Sequence, residues 1–557
     1  MTKIASLLSI ALFTAISGFS QEADKKLPDN WHLQDKGASG IYGISLDKAY
    51  DFVKTKKIKS KTILVAVIDS GIDTLHEDLK PVLWTNPKEI PNNGKDDDKN
   101  GYVDDVHGWN FIGGKDGQNV KEDSYEGARV YYKLKAKYGS VIPDESSVTP
   151  EERAELAIYK KAQQKIVGDV NPTQISFLKK LLPGFIKGDS VIRLDLKKEE
   201  YNCTDLEKYS TVNSDAKKTK GFMVQLCKAN GTDDLTNKQL LDELQGELKK
   251  ADAAENPPTE YRKNIVKDDE SNINDRYYGN KDIMAATPFH GTHCSGIIAA
   301  ARNNGKGMDG IADNVRIMMV RAVPDGDEHD KDIANAIRYA VDNGAQIISM
   351  SFGKDFSPEK QWVDDAVKYA ESKDVLLVHA AGNEAKNIDS ADNFPCATFK
   401  DGKYVPSNFI TVGASGDLKN GGITASFSNY GKKEVDVFAP GVQIYSTVPG
   451  GTTYGKASGT SMACPVVAGT AAYILGNYPA LSAKQLKYVI EKSSVKLEDD
   501  VNKPGADGEK VKLSEISKTG GLLNAYEAIK LASTLKGERK QPKQVLPKPK
   551  MKKGKKG

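Results

Sequence analysis

An aspartate, a histidine, an asparagine and a serine stand in this chain where together they could transfer an acyl group. Asp69 closes the apolar run Ala66-Val67-Ile68 and is followed by Ser70 and the turn residue Gly71. An acid at the carboxyl end of a parallel strand sits where open α/β sheets place their sites. His290 heads a run of small residues, Gly291-Thr292-His293-Cys294-Ser295-Gly296. Asn383 follows Ala380-Ala381-Gly382, and Ser461 follows Gly459-Thr460 just before the apolar stretch Val466–Leu475. Acyl transfer by a serine needs a base for its proton, an acid to orient that base, and donors for the oxyanion that forms. His290, Asp69, and Asn383 with the Ser461 N–H are the matching types. Singly, each has a plainer reading: a helix-start serine usually caps, and a lone asparagine after glycine usually turns the chain. His290 and His293 lack the spacing and the intervening acid of a helical zinc motif. No cysteine pair has zinc-site spacing either, so no zinc is expected.

The elements that must hold these residues follow from hydrophobic pattern. Short, nearly continuous apolar runs at Ile63–Ile68, Val315–Val320, Gln346–Ser349, Val375–His379, Phe409–Val412 and Val435–Phe438 read as strands buried on both faces. Helical periods at Asp332–Asn343 and Gln361–Ser372 alternate with them. The pattern predicts a doubly wound α/β fold, a mostly parallel sheet with helices on both faces. Residues 114–285 differ, being rich in Lys and Glu with helical period, as at Ser176–Leu182 and Lys238–Leu248. Thr149-Pro150-Glu151-Glu152 is a strong helix start. The chain therefore divides into a catalytic first part (21–113), a mostly helical insertion (114–285), a catalytic second part (286–535) and a basic tail (536–557).

Taken together, the four motifs resemble those of the subtilisin-like serine peptidases, in that family's order of Asp, His, Ser. The resemblance implies the subtilisin-like fold and a secreted endopeptidase. Ser461 is then the nucleophile, His290 the general base and acid, Asp69 its orienting partner and Asn383 an oxyanion donor. It further implies that Ser351-Phe352-Gly353 pairs with an extended polypeptide substrate beside Ala381 and Gly382, with the pocket floor near Asp392–Pro395. Asp325, Asp327 and Glu328 follow a strand where the family shapes subsites, and acids there would favour basic substrate side chains. A structural calcium site maps onto Asp78 and Asn303. A second calcium loop is legible without the resemblance. Asp96, Asp98, Asn100, Tyr102 and Asp104 offer oxygens at alternating positions around the turn residue Gly101, with Asp105 as a further ligand. No organic cofactor is expected. The stretch from Gln21 to Thr62 is short for the family's N-terminal pro-segment, so either the enzyme folds unaided or the insertion takes over gating.

Composition bounds the rest. The 557 residues are 39% hydrophobic and 28% charged, with formal net charge +3. Ten bases and one acid lie from Lys536 onward, so the body before them is mildly acidic, and nucleic acid is not an expected partner. The tail alternates Lys with Pro and Gly and is read as unfolded, with contact to polyanions as its sharper role. Lys3, the apolar run Ile4–Ile16 and small residues at Ser17, Gly18 and Ser20 read as an export signal, removed after Ser20. The expected location is periplasmic or extracellular, as a monomer without a membrane span. Of 5 cysteines, Cys203 and Cys227 are near enough in sequence for a local disulfide.

Overall fold

A computed structural model describes residues 27–539, apart from 141–142, 169–170, 199, 231–234, 286, 419 and 507. The export signal and all but the first residues of the basic tail lie outside the described residues.

The sheet is built from β1 (Ile63–Asp69), β2 (Gly108–Asn110), β3 (Val315–Arg321), β4 (Ile347–Met350), β5 (Leu376–Ala380), β6 (Phe409–Asp417), β7 (Asn420–Thr424) and β8 (Val437–Pro440). Its parallel order is β2-β3-β1-β4-β5-β6-β8. The edge is completed by Gly521–Leu522 and an antiparallel Val495–Lys496, while β7 runs antiparallel to β6. After β1 the chain goes out to β2 at the edge and returns to β3 beside β1, then crosses to β4 on the other side. That reversal leaves a crevice at the carboxyl end of β1, where α/β sheets bind ligands. β1 shows why the apolar runs are continuous. Ile63, Val65 and Val67 enter one core layer while Ala66 and Ile68 enter the other. Period-two alternation feeds both layers, so no polar face is left.

The first layer holds two helices of small residues, Phe289–Ala299 and Thr460–Asn477, and the second holds Asp330–Asp342 and Lys360–Ser372. The arm before β1 belongs to the first layer too. Trp31, Ile44, Leu46 and Ala49 are buried in it, and the Trp31 indole N–H donates to Val442 O at 3.1 Å.

Between β2 and the His290 helix the described residues form seven α-helices, among them Glu126–Tyr138, Pro150–Gln163, Pro172–Leu196, Ser214–Asn230 and Asn237–Glu255. The Thr149 start is a capping box with Glu152: each residue's side chain accepts from the other's backbone N–H. Leu178, Phe185, Ile192, Leu206, Met223, Leu240 and Leu244 form a core of their own, and a disulfide joins Cys203 to Cys227 within it. Closing a loop of this length stabilises a fold by about 3 kcal/mol in the chain-entropy account. Replacing both cysteines by serine is therefore expected to bring proteolytic nicking of Pro172–Glu255 to lower temperature while the sheet domain melts as before. Uniform loss of both would show that the insertion has no separate stability.

Candidate functional site

Asp69 ends β1 with its carboxylate buried (1% exposed) at the crevice. Its Oδ1 accepts from the Ser70 N–H at 2.7 Å and from His290 Nδ1 at 2.8 Å, with Oδ2 3.0 Å from the same nitrogen. An ionised carboxylate only accepts, so Nδ1 carries the proton and the Nε2 lone pair is free to act as a base. His290 sits in the first turn of its helix, with 31% of its side chain exposed. That helix approaches the turn after β1 so closely that a methyl on Gly291 would lie 2.2 Å from Gly71 O and 3.1 Å from Asp69 Cβ. Glycine at 291 is thus what lets the imidazole reach the carboxylate. His293, one turn on, is fully buried, and burial pushes its pKa down to about 3; it is a neutral core histidine with Nε2 3.3 Å from Gly455 O.

Ser461 occupies the first turn of Thr460–Asn477. Four residues later stands Pro465, which has no N–H to offer the Ser461 carbonyl. The freed carbonyl instead accepts from Ser351 Oγ at 2.9 Å and Cys294 Sγ at 3.4 Å. In return Ser461 Oγ donates to Ser351 O at 3.1 Å. Among the described residues no hydrogen bond links Ser461 Oγ to His290; Oγ is turned to Ser351 O. Cys294 Sγ lies 3.9 Å from His290 Nδ1 and also contacts the Ser461 carbonyl, so it packs beneath both residues on their buried side. Burial raises its pKa far above the ordinary thiol value, which keeps it a protonated packing group. Cys464 is buried likewise and is pushed up to about 11. The bracing roles of Ser351 and Cys294 have no clear sequence signal of their own, although Pro465 at four residues from Ser461 marks a carbonyl in need of partners.

Asn383 follows β5. Its Oδ1 accepts from Thr460 N at 2.8 Å and Thr460 Oγ1 at 2.9 Å, which fixes the amide with Nδ2 on the open side. Gly459, at φ 155°, lies beside that donor. A methyl built there would lie 3.5 Å from Asn383 Nδ2 and 3.5 Å from Ser461 N. Two N–H donors thus border one small empty volume next to the serine.

Ser351-Phe352-Gly353 continues β4 as an extended segment. His379, neutral with a pKa pushed down to about 4 by burial, donates from Nε2 to Phe352 O at 2.7 Å. Lys354 N–H and C=O pair with Phe394 at 3.1 and 2.9 Å. Backbone groups of successive residues face opposite edges, so those of Ser351 and Gly353 face the crevice. Ala381 is buried and its N–H is taken by Val412 O; Gly382 N–H donates to Thr460 Oγ1 at 3.0 Å. Both therefore hold the loop that carries Asn383. Asn393 Nδ2 lies 3.4 Å from Ala380 O, which puts part of 392–395 against the same loop.

The acids singled out beyond β3 have other partners than a substrate. Asp327 Oδ2 accepts the Glu126 N–H at 2.8 Å, and Glu328 is buried, its pKa raised to about 8 by that burial. Asp325 alone of the three is exposed. The expected preference for basic side chains is therefore withdrawn for Asp327 and Glu328.

In the acidic loop, oxygens of Asp96, Asp98 and Glu89 converge within 4.8 Å of one another. Glu89 is 7% exposed, and its Oε2 has no hydrogen-bond partner. Sequence reasoning misses Glu89 because nothing periodic ties it to the loop. Asn100 N–H donates to both Asp96 and Asp98, and its Oδ1 accepts from Tyr102 N. Asp105 accepts from Asn86, Asn100 and Tyr339, and burial raises its pKa to about 6. Asp104 does not join the cluster: it turns to Lys281 at 2.9 Å and to the N–H groups of Asn93 and Gly94. The second expected site also shifts. Asp78 meets Asn304 Nδ2 at 2.5 Å and the Tyr454 hydroxyl at 2.8 Å, while Asn303 is exposed one residue away.

The Subtilase family model matches residues 60–510. A thermophilic serine proteinase of Bacillus sp. (strain AK1) is 45% identical over 186 residues, 33% of this chain and 42% of that protein. Thermitase of Thermoactinomyces vulgaris is 40% identical over 209 residues, 37% of this chain and 68% of thermitase. Subtilisin DY of Bacillus licheniformis is 38% identical over 214 residues, 38% of this chain and 72% of the subtilisin.

Proposed function

The chain belongs to the subtilase family of serine peptidases, and from that premise we propose that it is an exported endopeptidase acting through Ser461, His290 and Asp69. His290 Nε2 takes the Ser461 proton as Oγ attacks the scissile carbonyl, then returns it to the leaving amine. Asp69 holds the tautomer this requires and offsets the imidazolium charge. Asn383 Nδ2 and the Ser461 N–H receive the oxyanion, and water then releases the acyl group by the same route in reverse. The substrate strand adds to the crevice-facing edge at Ser351 and Gly353, which suits extended polypeptide. The observation that carries the reading is the convergence of those two N–H donors beside a serine whose neighbouring histidine is already oriented by a buried carboxylate. A fluorophosphonate probe is expected to label purified protein on Ser461, with casein hydrolysis lost in step. A folded protein labelled elsewhere, or not at all, would sink the assignment.

Export is supported by the N-terminal sequence and by the Cys203–Cys227 disulfide, which belongs to an oxidising compartment. No helix among the described residues is long and apolar enough to cross a membrane.

We also propose that the acidic loop binds calcium. Three converging carboxylates, one with a buried oxygen lacking any partner, fit a hard divalent cation. Glu89, Asp96 and Asp98 would hold it, and its role would be to fix the loop that packs Tyr102 beneath β2 and β3. At a calcium concentration a hundredfold above Kd, such binding adds about 2.7 kcal/mol of stability. EDTA should therefore lower the melting temperature of wild type but not of Glu89→Gln. Equal melting of wild type with and without EDTA would show that the loop holds no ion.

A further inference from the structure

The crevice-facing edge at Ser351–Gly353 stops abruptly. Gly353 is exposed, whereas Lys354 and Phe356 are each only 5% exposed. What covers them is the start of the insertion. Lys354 Nζ lies 2.9 Å from Glu126 Oε2, and Phe356 packs among Ala128, Leu156, Tyr159 and Ile166.

The same stretch is bound to the facing wall, the segment that leaves β3. Asp325 N–H donates to Lys121 O at 2.9 Å, and Asp123 N–H donates to Asp325 O at 3.0 Å, a short β-bridge. Glu126 N–H reaches Asp327, and Arg129 Nη2 bonds the carbonyls of Asp327 at 3.1 Å and Glu328 at 3.3 Å. The two walls meet directly where Lys354 Nζ donates to Glu328 O at 2.7 Å. Residues 121–129 therefore lie as a crossbar over the end of the crevice, tied to both sides through backbone bonds and buried charge pairs. Breaking one partner of such a pair is strongly unfavourable, because it strands the other charge. The crossbar is a fixed part of the wall.

The register along the edge follows from the nucleophile, and its direction from antiparallel addition of the substrate strand. Ser351 O accepts from Ser461 Oγ, so the substrate residue whose carbonyl is attacked lies at Ser351. Pairing with Gly353, two residues on, reaches the third substrate residue on the amino side of the scissile bond. The next position would fall on Lys354 and Glu126.

Resting on the peptidase reading above, we propose that residues 121–129 end substrate recognition at the third residue before the scissile bond. The enzyme's substrates are then polypeptides read through a short arm, including ones cut within a few residues of their amino terminus. Residues farther out leave the crevice for solvent and contribute nothing to the rate.

The test uses wild-type enzyme and a nested set of fluorogenic peptides with a constant leaving side and one to six residues before the scissile bond. Over the first three residues kcat/KM is expected to rise at least tenfold, and to change less than about twofold from the third to the sixth. A further tenfold rise at the fourth or fifth residue overturns the crossbar, with the peptidase reading intact. Failure to cleave any peptide, with no fluorophosphonate on Ser461, overturns the peptidase reading and this inference together.

Discussion

Ser461→Ala is expected to abolish casein hydrolysis, lowering kcat by about a millionfold, while melting temperature stays within a degree or two of wild type. The size is the one seen when the nucleophile or its histidine is removed from a subtilisin, a member of the same family. The structure argues for the second half of the expectation. Ser461 is only partly buried, and its Oγ makes one hydrogen bond, to Ser351 O, at the lip of the crevice. The bonds that seat the helix start, from Ser351 Oγ and Cys294 Sγ to the Ser461 carbonyl, survive the substitution. His290→Ala should lose a similar factor, and the double variant should lose no more than either alone, because the two side chains act as one unit. Initial rates at saturating substrate, with near-ultraviolet circular dichroism as the check on folding, decide the matter. A loss below a hundredfold would mean that another group attacks the carbonyl.

How much of this is legible in sequence depends on whether the signal is local. β1, β3 and β4 are readable because each is buried on both faces, so nearly every position is apolar up to the residues that end it. The Asp69, His290 and Ser461 settings are readable because each is a strand end or helix start, carried by consecutive residues. β2 is not: Gly108-Trp109-Asn110 is too short for any period to show. The crossbar cannot be read either, since Lys354 and Glu126 stand 228 residues apart and charged residues at a helix start look solvated. The alternating acids of the calcium loop mislead at Asp104, which a backbone at φ 55° turns away from its neighbours and toward Lys281. The loop carrying Asn303 and Asn304 shows the usual weakness of registering a motif across a loop of uncertain length, where one residue separates the exposed side chain from the one that meets Asp78.

Filling the volume between the two oxyanion donors should be nearly as damaging as removing one. Gly459→Ala places a methyl 3.5 Å from both Asn383 Nδ2 and Ser461 N, in the space a tetrahedral oxygen would occupy at about 2.7–3.1 Å from each donor. Carbon and oxygen cannot share that space, so the substrate carbonyl must sit outside it. The expected result is a fall in kcat of about 10²–10³, the range for losing one such donor, with KM changed little because the oxyanion forms only in the transition state. Asn383→Leu should fall in the same range. It also strands the Thr460 N–H, which now donates to Asn383 Oδ1, so it should cost stability as well as rate. The double variant is the discriminating measurement. If both changes act on one oxyanion, the second adds little and the combined loss stays near about 10³, whereas independent roles would multiply toward about 10⁵. Gly459→Ala should also melt earlier, because φ 155° is a conformation that alanine adopts only under strain of about 1–3 kcal/mol. Rate and stability thus separate the two effects. A variant that melts early yet keeps kcat within about threefold would show that the donors converge on empty space and not on the reacting oxygen.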